Sequence, residues 1–272
     1  MNSHSLKRGL LIVGAGVLFW IITAYEILPV VLRHYEYQRG LDGRDMLTHT
    51  TLGIAADPIN VGLVGTEDDI ICAFHAAGWV PADPVTLKSS VKIIRSVVLD
   101  SPYQTAPVSP LYYEGRKQDL TFEKPAGVSA QTRHHIRLWH VLDQGAEDRP
   151  VWLGAATFDK GVGLSSYTYQ VTHHVDAAID DERDFIANDL AASGSVEDTY
   201  QVSGIEPTFL AFNGGGDSYF TDGEIVFSTL TTDCQAKPGL VPKTKPNAPI
   251  IESKNWLWRT LSVVLRFAYS FA

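Results

Sequence analysis

Residues 132–176 concentrate the side chains best suited to bind or move charge. They hold TRHHIRLWH (132–140), VWLGAATFDKGVGLS (151–165) and TYQVTHHVD (168–176), and with them five of the chain's nine histidines. How many of these groups share a pocket depends on how the strands present them. In an extended strand alternate side chains point the same way. Arg133, His135, Arg137 and Trp139 therefore share one face, and His134, Ile136, Leu138 and His140 the other. The same rule sets Gln170, Thr172, His174 and Asp176 against Tyr169, Val171, His173 and Val175. Each histidine pair is divided, so the expected shared pocket holds His135 and His174.

Three readings of such a cluster compete. Arg133, His135, Arg137, Lys160 and His174 can clamp a phosphate or carboxylate, with the Gly161 and Gly163 backbone approaching closely. Alternatively His135, Asp159, His174 and Asp176 offer imidazole and carboxylate to a divalent metal, although their spacing matches no HExxH-type ligand run. In the third reading these are sheet-face residues paired structurally with the acids of 180–184. No GxSxG elbow, no HxxEH and no cysteine beside a histidine is present, so nucleophilic hydrolysis has no motif support. The reading leans away from an enzyme, and no cofactor is implied. Gly214, Gly215 and Gly216 resemble a phosphate loop only superficially. They lack the Lys-Ser/Thr and the helix that follows it, and read as a hairpin tip.

The elements that must position these groups are short and mixed. Residues 132–142 and 151–158 flank the turn-prone DQGAEDRP and are expected to pair antiparallel, with 167–175 as a third strand. Residues 59–64, 207–212 and 218–230 read as further strands, and 110–125 as a β-hairpin around Gly115 and Arg116. Thr66 with Asp69 three residues on starts a helix that Gly78 stops. Residues 83–98 and 180–190 read as helices too. The fold class expected is α+β, with a mixed or largely antiparallel sheet and packed helices, preceded by one transmembrane helix.

That span comes from residues 9–32, after a polar stretch over 1–8 that ends in Lys7 and Arg8. Twenty-four residues at about 1.5 Å each reach roughly 36 Å, enough for a hydrocarbon layer of about 30 Å. An uncleaved anchor fits better than a signal peptide. Lys7 and Arg8 on one side face Arg33, Arg39 and Arg44 on the other, so flanking charge leaves the orientation open, while a short basic N-terminus most often stays in the cytoplasm, which would put the body outside. Residues 33–56 read as a juxtamembrane linker, 57–234 as the globular domain, and 235–254 as a proline-containing linker. Residues 255–272 read as an amphipathic helix that docks on the body or on the first span, or else contacts the lipid surface. The chain has 272 residues and a formal charge of -9, which argues against a nucleic-acid partner. Its two cysteines, Cys72 and Cys234, lack zinc-module spacing; one disulfide could form if the body faces an oxidising compartment, but for Cys72 in a helix a buried thiol is the commoner reading.

The segments SPLYYEGRKQDLTFEKP (109–125), TRHHIRLWH, RPVWLGAATFDKGVGLS (149–165) and THHVDAAIDDERDFIANDL (172–190) together resemble the LssY C-terminal domain family. The likeness runs over about 59–190. It implies a bacterial domain of undetermined molecular function, found behind a membrane segment or attached to integral-membrane proteins of the phosphatidic-acid-phosphatase type. Such proteins are the partners it implies, and it transfers no catalytic residue. The expectation is a single-pass protein of the bacterial cell membrane that binds an anionic, phosphate-bearing or lipid-headgroup ligand. A metal-dependent or His/Asp hydrolase and a structural partner of membrane proteins are the alternatives.

Overall fold

The computed structural model describes residues 3–23, 27, 37–38, 40–41, 43–82, 109–126, 132–169, 171–203 and 210–269. Two units divide the chain, Met1–Glu36 and Tyr37–Ala272. The first contains α1 (Ser3–Ile22), on which Leu10, Leu11, Val13, Phe19 and Trp20 are exposed. Among the described residues no helix is long and apolar enough to cross a membrane. The span expected over 9–32 is therefore not shown, and residues 24–26 and 28–32 of it lie outside the described ones.

The second unit begins with β1 (Leu47–His49), β2 (Ala55–Pro58), β3 (Val61–Val64), α2 (Glu67–Ala76) and β4 (Val80–Pro81). It continues with β5 (Tyr112–Tyr113), β6 (Arg116–Lys117), β7 (Leu120–Pro125), β8 (Arg133–Leu142), β9 (Val151–Leu164) and β10 (Val171–Val175). Then come α3 (Ile179–Ala192), β11 (Val196–Ser203), β12 (Leu210–Phe212), β13 (Ser218–Phe220), β14 (Glu224–Leu230), β15 (Lys243–Thr244) and α4 (Pro249–Tyr269). The helix expected over 83–98 lies outside the described residues.

A large mixed sheet runs in the order β15-β11-β14-β3-β9-β8-β7-β4, with β10 pairing the far half of β9. β11/β15 and β14/β3 are parallel, and the other pairs are antiparallel. The expected α+β class with a mixed sheet is what the chain adopts. β8 and β9 pair antiparallel, as the flanking turn residues imply, but β9 continues six residues beyond Phe158 to reach β10.

Alternation along β8 sends its side chains to two cores. Ile136 and Leu138 pack with Ile70, Phe74, Ile186 and Leu190, on the face that α2 and α3 cover. Trp139 packs on the other face with Leu41, Met46, Leu111 and Tyr113, beneath a small sheet of order β2-β1-β5-β6. The helix-covered side is called the back here and the other the front. α2 starts at a capping box, with Thr66 Oγ1 accepting from Asp69 N and Asp69 Oδ2 accepting from Thr66 N. Its Ile70, Ala73 and Phe74 form the buried stripe that helical spacing implies.

Several boundaries differ from the sequence reading. Residues 37–56 are no linker, because they supply β1 and bury Leu41 and Met46 in the front core. Residues 243–244 of the expected proline-containing linker form β15, parallel to β11. The hairpin turn sits at Glu114 and Gly115, both at positive φ, one residue before the expected pair. Cys72 and Cys234 form a disulfide rather than leaving a buried thiol. Helix geometry at Cys72 gave no hint of its partner, which is 162 residues away.

α4 takes the docking option. Trp258 Nε1 donates to Asp180 Oδ2 at 3.2 Å, Asn255 bonds Gln201, Arg266 forms a bidentate pair with Asp181, and Tyr269 packs on Phe220. Its outer side leaves Trp256, Leu257, Val264 and Phe267 exposed.

Candidate functional site

Register, more than sequence proximity, assembles the front-face cluster. Arg133 on β8 stands opposite Asp159 on β9, and His135 stands between Glu123 on β7 and Thr157 on β9. Arg133 donates from Nε to Asp159 Oδ2 at 2.8 Å and from Nη1 to Glu123 Oε2 at 2.6 Å. Arg137 faces Ala155, whose small side chain leaves room for a longer reach across the front. It donates from Nη1 to Asp57 Oδ2 at 3.0 Å and from Nε to the Ser109 carbonyl at 3.0 Å. All of these charged groups are buried.

Burial alone raises a carboxyl's pKa by penalising its charged form. At Asp159 that penalty is outweighed by His135, Arg133 and His173, which hold its carboxyl well below the usual carboxylate range. Burial lowers the pKa of Arg137, opposed by Asp57 and Asp159. Guanidinium remains cationic in any protein setting, so two fixed positive charges face Asp57, Glu123 and Asp159. Two guanidinium groups against three carboxylates leave one negative charge in excess.

His135 is held from both ring nitrogens. Nε2 lies 3.0 Å from Arg137 Nη1 and 2.8 Å from Thr157 Oγ1. Arginine can only donate, so Nε2 carries the lone pair and Nδ1 the proton. Nδ1 sits 3.2 Å from Asp159 Oδ1 and faces the carboxylate without the alignment of a hydrogen bond. An imidazole engaged in this way is not placed to take a proton from a ligand. Thr157, its hydroxyl partner, is 1% exposed and is not presented to one either.

A pocket of about 250 Å³ opens above this cluster. Arg133, His135, Arg137, Asp159 and Asp57 form its charged floor. Thr50, Thr51, Ser109, Thr168 and Thr172 line it too, and the glycine run closes one side. That run is the β12/β13 hairpin tip, as its lack of a following helix implies. Asn213 Oδ1 holds it by accepting from Gly215 N and Asp217 N, both at 2.9 Å.

Of the five residues expected to clamp an anion, Arg133, His135 and Arg137 come together at this pocket and Lys160 and His174 do not. The cause is a β-bulge. His174 pairs with Gly161 but Val175 pairs with Asp159, so Lys160 has no counterpart and the alternation shifts by one. His173 therefore lines the pocket beside Asp159, and Lys160 is exposed. His174 turns away, bonding Asp217 Oδ1 through Nδ1 at 2.6 Å, with its ring lying over Gly163. A Cβ on Gly163 would lie 2.2 Å from His174 Nε2, so this glycine makes room for a side chain rather than for a ligand.

The alternative metal set is not assembled. His135 and Asp159 are adjacent, but His174 is bound to Asp217 and Asp176 Oδ1 accepts from Ala178 N ahead of α3. Among the described residues no three histidine, cysteine or acidic side chains converge to hold a metal ion. Asp57, Glu123 and His173 were missed as members of the site. His173 carried a signal in its pairing with His174, whereas Asp57 and Glu123 enter only through register.

No curated protein and no solved structure matches the chain. A family model described as LssY C-terminus matches residues 35–225, a stretch that holds both faces of β8 and every residue of the front cluster. On that match the chain belongs to the LssY C-terminus family.

Proposed function

We propose that this chain is a membrane-anchored envelope protein whose front pocket binds a small anionic group, phosphate or carboxylate, without transforming it. The observation that carries this reading is the unspent edge of Arg137. Its Nε and Nη1 are committed to Ser109, Asp57 and His135, while Nη2 forms no hydrogen bond with the described residues. That leaves one charge-assisted donor at the floor of a hydroxyl-rich pocket. A lipid headgroup and a free phosphate present the same chemistry to it.

The test titrates the detergent-solubilised full chain with inorganic phosphate, and separately with vesicles of phosphatidic acid against phosphatidylcholine. Saturable binding is expected, weakened at least tenfold by Arg137→Gln while unfolding remains cooperative. Phosphate binding without a vesicle preference identifies a soluble anion as the ligand, and the reverse identifies a headgroup. No saturable binding to either probe sinks the proposal. A structural reading has its own support, since most charges in the cluster are already paired. It predicts that Arg137→Gln unfolds the body and that the wild type binds neither probe.

Anchoring is supported by the exposed apolar side chains of α1, and the outer face of α4 offers a second surface for lipid contact. The Cys72–Cys234 disulfide favours an oxidising compartment for the body. Retention of the chain in carbonate-washed membranes, with the body cleaved by external protease, is the expected result. A chain released by carbonate would remove the anchor.

A further inference from the structure

Three hairpin tips meet around the mouth of the front pocket. Residues 50–54 close the β1/β2 hairpin, 165–169 follow β9 towards β10, and 213–217 close the β12/β13 hairpin. Each tip lines the pocket, through Thr50 and Leu52, Ser165 and Thr168, and Asn213 and Gly215. The tips also touch one another. A Cβ on Gly214 would lie 2.5 Å from Thr50 Cγ2, and one on Gly216 would lie 2.7 Å from Ser166 Cβ. Ser166 N donates to the Gly215 carbonyl at 2.9 Å, so the three tips form one collar.

That collar presents large apolar side chains to solvent. Leu52 is 69% exposed, Tyr169 79% and Phe212 60%, with Leu164, Tyr167 and Leu210 exposed beside them. Residues 50–54, 164–169 and 210–216 contain no Asp, Glu, Lys or Arg, in a chain that is 19% charged. Local structure holds them outward. Buried Ser165 accepts through Oγ from Tyr167 N and Thr168 N, and Tyr169 stands at a φ of 55°, a left-handed conformation uncommon for an aromatic residue. Alternation along β12 puts Leu210 and Phe212 on one face. An exposed apolar set of this kind beside a pocket marks a docking surface.

We infer that this collar docks on a lipid bilayer, and so seats the mouth of the anion pocket on phosphate-bearing headgroups. A collar without charge enters the membrane interface free of the desolvation cost that a lysine or aspartate would carry. Tyrosine rings suit the headgroup level, and leucine and phenylalanine suit the acyl boundary below it. A phospholipid joins an anionic group to apolar chains, which matches a pocket with Arg137 on its floor and apolar side chains around its mouth. The headgroup half of this inference rests on the anion reading of the pocket, whereas the docking half rests on the collar alone.

The test reads contact at the collar itself, so that α1 and α4 do not contribute to the signal. The full chain carries a coumarin-bearing amino acid at position 212, and separately at 52, in nanodiscs of phosphatidylcholine with and without phosphatidic acid. Lipids brominated in their acyl chains should quench both labels at least twofold relative to unbrominated lipids, and more strongly with phosphatidic acid present. Quenching that is the same without phosphatidic acid and in Arg137→Gln supports docking, while the anion reading fails. No quenching at either position overturns the inference. If the chain then forms dimers that Leu52→Ser with Phe212→Ser dissolves, the collar belongs to a second copy. Should a labelled chain fail to fold, the Tyr169 ring resonances of the wild type decide. Broadening by a nitroxide-bearing lipid supports docking, and no broadening overturns it.

Discussion

His134 and His135 are neighbours in sequence, yet they serve opposite electrostatic designs. His135 lies among two guanidinium groups and three carboxylates, all buried. His134 faces a cavity with three carboxylates and no lining lysine or arginine. Both regions bury acids, but with opposite outcomes. Asp159 is held well below the ordinary carboxylate range by His135, Arg133 and His173, whereas at Glu182 burial prevails and the carboxyl is raised. The balance between the burial penalty and the positive charge and hydrogen bonds that reach the acid decides the sign.

Neutralising one buried acid on each side breaks the comparison most sharply. Asp159→Asn leaves Arg133 and His135 facing an amide in a buried site, and should destabilise the fold by about 3–5 kcal/mol in urea unfolding. Glu182→Gln removes a charge that burial already disfavours, and should change stability at pH 7 by no more than about 1 kcal/mol, in either direction. Similar losses for both variants would mean that the two faces are not electrostatically distinct.

The pH dependence sharpens the same contrast. Asp159 binds its proton more weakly folded than unfolded, so its contribution is complete above its ordinary value of 3.8 and is lost as the pH falls towards the depressed folded value. Glu182 binds its proton more tightly folded, so its contribution is complete below 4.5 and is lost as the pH rises through the raised folded value. Asp180, pushed up to about 6 by burial, slopes the same way as Glu182. Urea midpoints should therefore fall on both sides of a maximum. Asp159→Asn should flatten the acid limb, and Glu182→Gln part of the limb above pH 4.5.

How much of this is legible in the sequence follows from what each feature depends on. The β8 alternation, the β8/β9 pairing, the α2 capping box and the glycine hairpin tip rest on local pattern, and a pattern can be read. The exchange of His173 for His174 rests on a bulge at Lys160, which strict alternation cannot register. Asp57 and Glu123 join the site through strand register and through chain folding over the front. The acids of 180–184 read as the start of a helix and as partners for the front cluster. The chain instead spends Glu182 on His134 at the back and Asp180 on Thr221 and Trp258. Composition reveals the charges, but only the sheet decides which face each one serves.

The smallest expected effect lies at the rim of the back cavity, where Arg266 of α4 meets Asp181. The two side chains are 45% and 58% exposed, so solvent screens most of their attraction despite the bidentate geometry. A double-mutant cycle on Arg266→Ala and Asp181→Ala should give a coupling of about 0.2–1 kcal/mol, shrinking with added salt. α4 keeps its place without the pair, because buried Ile251 and the Trp258 bond to Asp180 hold it separately. A coupling near 3 kcal/mol would instead place this pair in the regime of the front cluster. The back of β8 would then rely on a desolvated ion pair as the front does, and the contrast between the faces would lose its basis.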